Sequence, residues 1–346
     1  MSWQTAFTAQ ARSCRDLGSP FTAMLLDSFV AFGLPEGLIG TRIGTWPGDI
    51  SSNGASVPLR LAGALHGMVL EGLDTDLMAL YPPRGTPTEA QLHKTACAAI
   101  ARHEAYVDQR LNDAPQTNEV ARASALILAA DALAAHTGLP LVLSELGASA
   151  GLNLNFDRFR LPSPEGDFGP SNSPVVLTPD WRSPTPTPRG FTVTGRQGVD
   201  LSPRDPVAER LQLLSFIWPD QIARFERIKA ALDLATNHPP KVAKADAIDW
   251  LAERLSQNHP GQLHLVYHTV AWQYFPKEVQ ARGERLLAEA GARASEVAPL
   301  ARLAMEADGQ APGSKLTLTL WPDGTEHDLG RFDFHGRWID WLPPQF

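Results

Sequence analysis

Cysteine is nearly missing from this chain. Cys14 and Cys97 are the only two in 346 residues. That is too few for a disulfide framework or a thiolate zinc site, and it points to a reducing compartment. Positive charge is also in deficit: the formal net charge of −8 argues against an electrostatic nucleic-acid binder or an anionic-membrane binder. Metal-ligand spacings of the H-E-x-x-H or C-x-x-C type are absent and the ten histidines are scattered, so no catalytic metal is expected. The N-terminus lacks the apolar run of a signal peptide. The most apolar stretch, residues 123 to 147, is broken by Asp131, His136 and Gly138-Leu139-Pro140, which excludes a membrane span. These absences place the protein in the cytoplasm with a small-molecule substrate and leave its oligomeric state open.

What is present is ample apolar content, 43% against 20% charged, enough for one large domain or two smaller ones. Residues 1 to 137 repeat apolar side chains three and four apart, as in "PLRLAGALHGMVLEGL", and read as a helical domain. From 138 to 346 short apolar runs alternate with helical stretches, the pattern of an α/β sheet. Seven runs read as strands: "LVLSEL", "FTVTGRQGVDL", "KVAKADA", "LHLVYHTV", "PLARLAME", "KLTLTLW" and "HDLGRFDF". The last two are joined through Asp323-Gly324, a hairpin signal. The expected fold is a mostly parallel, seven-stranded Rossmann-like sheet with an antiparallel C-terminal hairpin, a layout that resembles a class I methyltransferase. Residues 161 to 190 are so rich in Pro, Ser and Gly that they read as an excursion over the sheet.

The stretch "LSELGASAGLNL" satisfies two incompatible patterns. Gly147, Ser149 and Gly151 spell G-x-S-x-G, a nucleophile elbow, with Asp200 or Asp246 as acid and His268, His327 or His335 as base. The strands and the oxyanion loop that should precede such an elbow are missing from residues 1 to 137. Alternatively Glu145, Gly147, Ala148, Ser149 and Gly151 form a turn in which glycines let backbone approach a nucleotide-like cofactor. Asp200, closing the second strand, is then placed for ribose hydroxyls. Asp246 and Ala247, in a D-A-x-x-W pattern typical of methyltransferases, fall beside the adenine, while His268, Trp272 and Tyr274 follow the fourth strand where an acceptor lies. This agreement of four strand ends favours S-adenosylmethionine as cofactor, with His268 and Tyr274 as catalytic candidates. The plainer alternative is that Glu145, Asp200 and Asp246 cap helices and that His268 and Trp272 are core residues. A non-catalytic ligand-binding protein also remains open.

In "PQTNEVARAS", Thr117 or Asn118 can cap a helix, with Glu119 and Arg122 one turn apart; Gln116, Asn118 and Glu119 are substrate-side candidates if this segment folds over the pocket. Arg60 and His66, on an otherwise apolar helix, are candidates for gripping an acidic substrate group, and burial with a salt bridge is the structural alternative. Together "GSPFTAMLLDSF", "QTNEVARAS", "ELGASAGLNL", "GVDLSPRDP" and "HTVAWQYF" resemble the bacterial family known as domain of unknown function 2332 nearly end to end. The resemblance implies one intact member of that family and names no activity.

Overall fold

The computed structural model describes residues 1–116 and 118–346. They divide into two compact units, Met1–Thr117 with Glu209–Lys229, and Asn118–Ala208 with Ala230–Phe346. The helix that follows Asn118 therefore packs with the sheet, although its periodicity groups it with the helical half.

The first unit is helical: α1 (Trp3–Asp16), α2 (Pro20–Phe32), α3 (Leu38–Gly44), α4 (Val57–Leu70), α5 (Thr75–Leu80), α6 (Glu89–Arg102) and α7 (Glu104–Arg110). Local sequence sets their starts. Ser19 accepts from Thr22 N ahead of Pro20, and Thr88 and Gln91 close a reciprocal capping box. Phe7, Leu25, Leu26, Phe29, Leu61 and Leu65 are fully buried in the core of this unit. Edge-to-face contacts of Phe7 with Trp3 and Phe29 order its aromatic part.

The remaining elements are α8 (Ala123–Thr137), β1 (Leu141–Leu146), β2 (Asp180–Trp181), β3 (Val193–Asp200), α9 (Arg210–Ser215), α10 (Ile222–Asn237), β4 (Val242–Lys244), α11 (Ala247–Leu255), β5 (Leu263–Thr269), α12 (Lys277–Gly291), β6 (Leu300–Glu306), β7 (Ser314–Trp321), β8 (Thr325–Phe332) and β9 (Trp338–Trp341). The stretch Val120–Thr137 is long and apolar enough to cross a membrane, and most of it is buried within the fold.

The seven-stranded, mostly parallel Rossmann-like methyltransferase sheet expected from sequence does not form. The sheet is mixed and has nine strands in the order β2-β9-β8-β7-β6-β5-β1-β3-β4. β4, β3, β1, β5 and β6 are parallel, β6 to β9 run as an antiparallel meander, and β2 adds in parallel to β9. Two short strands make the difference. "WIDW" pairs back onto β8 after a turn held by Asp333, whose Oδ1 accepts from His335 N and Arg337 N. The Pro-rich excursion then supplies β2, so it extends the sheet edge. Its end is fixed by Asp131 on α8, whose Oδ1 accepts from Arg189 N and Gly190 N.

Burial follows position in the sheet. β1 and β5, at the centre of the parallel part, are buried along their whole lengths, whereas β7 alternates buried and half-buried residues. α11 and α12 cover one face through Ile248, Leu251 and Leu287, which pack with Leu146, Val199 and Val266.

Candidate functional site

The parallel part reverses its order at β1: the chain passes from β1 to β3 and β4 on one side, then returns to β5 and β6 on the other. In open parallel sheets the crevice beyond the carboxyl ends at such a reversal is where ligands sit. Glu145 lies there, in register with Gly198 of β3 and Tyr267 of β5.

The turn after β1 keeps Gly147, Ser149 and Gly151 at φ of 71°, 53° and 69°. Its glycines make room for protein. A Cβ on Gly147 would lie 2.6 Å from the Ala271 Cβ, and one on Gly151 2.7 Å from Pro240 and Val242. Most of its donors are already spent. Gly147 N and Ala148 N bond to Val199 O, Ser149 N to Asp200 Oδ2 (2.8 Å), Gly151 N to Ala148 O and Leu152 N to Asn118 Oδ1 (2.7 Å). Asp200, whose other oxygen accepts from Ser202 N, thus ties the turn to the end of β3. The Ser149 Oγ is buried without a hydrogen-bond partner, so neither His268, His327 nor His335 activates it as a nucleophile.

Around Glu145 the structure gathers several groups. Glu145 is 2% exposed, and the Tyr267 hydroxyl stands 3.5 Å from its Oε2 and closer, 3.3 Å, to Asn153 O. Burial pushes this carboxyl well above the ordinary glutamate range, and the charge of Asp200 adds to the shift while Arg122 opposes it. Asn153 gives its Nδ2 to Glu119 O and leaves its buried Oδ1 unpartnered. Glu119 accepts from Ala121 N, and Arg122 donates to Thr269 O and Phe334 O. Asn118, Glu119 and Arg122 are therefore drawn against the turn and the end of β5.

The loop after β5 hangs on one carboxylate. Glu306 Oε1 accepts from His268 Nδ1 (2.7 Å), Ala271 N and Trp272 N, and Oε2 accepts from Gln273 N. Arg302 Nε donates to His268 Nε2 at 3.2 Å, which fixes a neutral imidazole with its proton on Nδ1. Burial accordingly lowers the His268 pKa, and the donors around Glu306 hold its carboxyl below the usual range despite its burial. Trp272 stacks on His268 and under Arg302. Val270 takes φ 54°, a β-branched residue in the left-handed region.

Of the remaining predicted residues, Asp246 and Tyr274 stand at the same carboxyl edge, just after β4 and in the loop after β5. Asp246 is exposed and caps α11 through Ile248 N and Asp249 N, with Ala247 opening that helix. Tyr274 is 72% exposed. Gln116 belongs to the first unit, and Thr117 lies outside the described residues. Arg60 and His66 lie in the first unit, each bonded to backbone carbonyls. Arg60 donates to Ala55 O, Leu111 O and Asn112 O. His66 Nδ1 pairs with Ser215 O, and burial takes its pKa down to about 4. Sequence reading did not single out Tyr267, Asn153, Arg302 or Glu306. Glu306 carried a usable signal, since it closes "PLARLAME" as Asp200 closes its strand. Among the described residues no group of three or more His, Cys, Asp or Glu is placed to hold a metal.

The raised pKa of Glu145 has a measurable sign. Above pH of about 4.3 an unfolded glutamate loses its proton while the folded one keeps it, so stability falls with rising pH by about 1.4 kcal/mol per unit until the folded pKa is passed. Glu145→Gln, which carries no such proton, is expected to be more stable than the parent by about 1–3 kcal/mol at pH 8 and equal to it near pH 4. Urea denaturation at both pH values checks this; equal stability at pH 8 means an ionised, well-paired Glu145.

A family model described as "Uncharacterized protein conserved in bacteria (DUF2332)" matches residues 4–341. No curated protein and no solved structure matches the chain.

Proposed function

The chain belongs to the DUF2332 family of bacterial proteins, and we propose that it binds S-adenosylmethionine at the carboxyl ends of β1, β3 and β5 and methylates a small molecule. The observation that carries this reading is the pair of acids, Glu145 and Asp200, on adjacent parallel strands at the point where the strand order reverses.

The residues fit such a ligand through their polar atoms. Asp200 keeps lone pairs beyond those given to Ser149 N and Ser202 N, and these would accept ribose hydroxyls. Ser149 Oγ and Asn153 Oδ1 are buried polar atoms lacking protein partners, and a ligand carrying donors and acceptors would satisfy them. Glu145, whose carboxyl is pushed by burial well above the ordinary glutamate range, would act in its protonated form as a hydrogen-bond donor. When bound, S-adenosylmethionine supplies an electrophilic methyl group. The chain's contribution is positioning and exclusion of water, with Trp272 bordering the acceptor side in a loop fixed by Glu306. His268 serves here as a positioning residue, because both of its nitrogens are engaged.

Titration calorimetry with S-adenosylmethionine and with its demethylated product is expected to give saturable binding. Asp200→Ala should weaken it by about 1.5–3 kcal/mol, the worth of a charged hydrogen bond. No saturation by either compound at millimolar concentration would remove this cofactor from the site.

A further inference from the structure

Near the start of β5, the end of the sheet remote from Glu145, a cleft of about 210 Å³ opens between the end of α11, His264 and the end of α12. It is smaller than the roughly 300–1,000 Å³ of drug-sized ligand sites. His259, His264, Gln257 and Arg293 line it, and no aspartate or glutamate does, on a chain whose net charge is −8.

Behind the wall lies Arg254, 6% exposed. Its Nε donates to Ser144 Oγ (3.0 Å) and its Nη1 to Gln257 Oε1 (3.1 Å), both neutral acceptors. Burial lowers its pKa with no acid opposing the shift. Arg196, by contrast, is clamped by both oxygens of Asp157. A buried guanidinium without a counter-charge is costly. The last-turn carbonyls of α11 supply about half a unit of opposite charge and no full one.

The histidines complete the arrangement. Ser144 Oγ accepts from Arg254 Nε and shares a hydrogen bond with His264 Nε2 at 2.8 Å; where the serine is the donor in that bond, His264 carries its hydrogen on Nδ1. Among the described residues no acceptor meets that N–H. The His259 ring packs edge-on against His264 with its Nε2 buried and unpartnered. Arg293, at the rim two residues past α12, bonds through its side chain only to the Glu289 carbonyl of that helix.

We propose that this cleft binds a small oxyanion, a phosphate or carboxylate group, held directly by His259, His264 and Arg293 and electrostatically by Arg254. The proposal stands apart from the carboxyl-edge site, so the two can fail independently.

Calorimetric titration with inorganic phosphate and with malonate, against chloride of equal ionic strength, is the test. Saturable binding by one of them is expected, weakened about tenfold or more by Arg254→Met and several-fold by the exposed Arg293→Ala; which anion saturates tells phosphoryl from carboxylate ligands. In chloride Arg254→Met should melt at or above the parent temperature, and in the binding anion below it. Absence of saturation by both anions overturns the proposal. An equal loss of melting temperature in both buffers does so too, since Arg254 would then serve only Ser144 and Gln257. If Arg254→Met does not fold, His259→Ala and Arg293→Ala decide by the same titration.

Discussion

Glu306→Ala is expected to lose about 3–5 kcal/mol of unfolding free energy, the largest effect of any single change at the candidate site. One carboxylate receives His268 Nδ1 and the backbone N–H groups of Ala271, Trp272 and Gln273, so truncation leaves buried donors with nothing to meet them. Arg302 would then face His268 without the carboxylate that orients the ring, and Trp272 would lose its stacking partner's position. Glu306→Gln keeps an acceptor oxygen without the charge and should cost less than half as much. Because the folded pKa of Glu306 is depressed, its stabilisation is present above the unfolded glutamate value and fades as pH falls through the folded one. Urea denaturation of both variants at pH 7 and pH 3 measures this. A loss below about 1 kcal/mol for Glu306→Ala at pH 7 would show that water replaces the carboxylate.

Gly147→Val should be the second most damaging change. Its side chain must occupy φ 71°, which costs about 1–2 kcal/mol for a residue with a Cβ, and that Cβ meets Ala271 at 2.6 Å. Overpacking of this kind adds about 1–3 kcal/mol. Since Ala271 belongs to the loop fixed by Glu306, the strain passes from the end of β1 to the end of β5, and cofactor affinity should fall with stability. Ser149→Ala is the contrast: it deletes a buried hydroxyl that has no partner, so stability should hold or rise. Thermal melts and calorimetry on the pair separate the turn's backbone role from any role of the hydroxyl. A Gly147→Val protein as stable as Ser149→Ala would mean that the loop at Ala271 yields freely.

Seven of the nine strands were legible because each is an apolar run bounded by turn residues, and the Asp323-Gly324 hairpin joins β7 to β8 as its sequence suggests. β9 was not, because four residues with Asp340 pointing outward carry too little pattern, and what makes them a strand is pairing with β8. β2 is two residues inside a proline-rich segment, and only its partner reveals it. The same division holds at the site. Glu145, Gly147 and Asp200 could be found because strand ends can be found. The bond from Ser149 N to Asp200, the approach of Arg122 to Thr269 and the reach of Glu306 along the loop after β5 are tertiary facts, set by which strands become neighbours. Asp246 was legible in another way, as an acid that begins a helix, and it does cap α11.

The short outer strands also bear on how this chain behaves at high concentration. A sheet margin with free backbone groups invites another chain to add to it. Here β9 has its outward groups met by the excursion: Asp180 N bonds Arg337 O, Arg182 N bonds Ile339 O, and Trp341 N bonds Ser183 Oγ. The opposite margin, β4, is three residues long, preceded by Pro239, Pro240 and the exposed Lys241 and ending on the exposed Lys244. Proline cannot donate to a ladder, and paired lysines repel a like neighbour. Each margin thus resists edge-to-edge aggregation by a different means, and removing the proline-rich segment would open β9 to it.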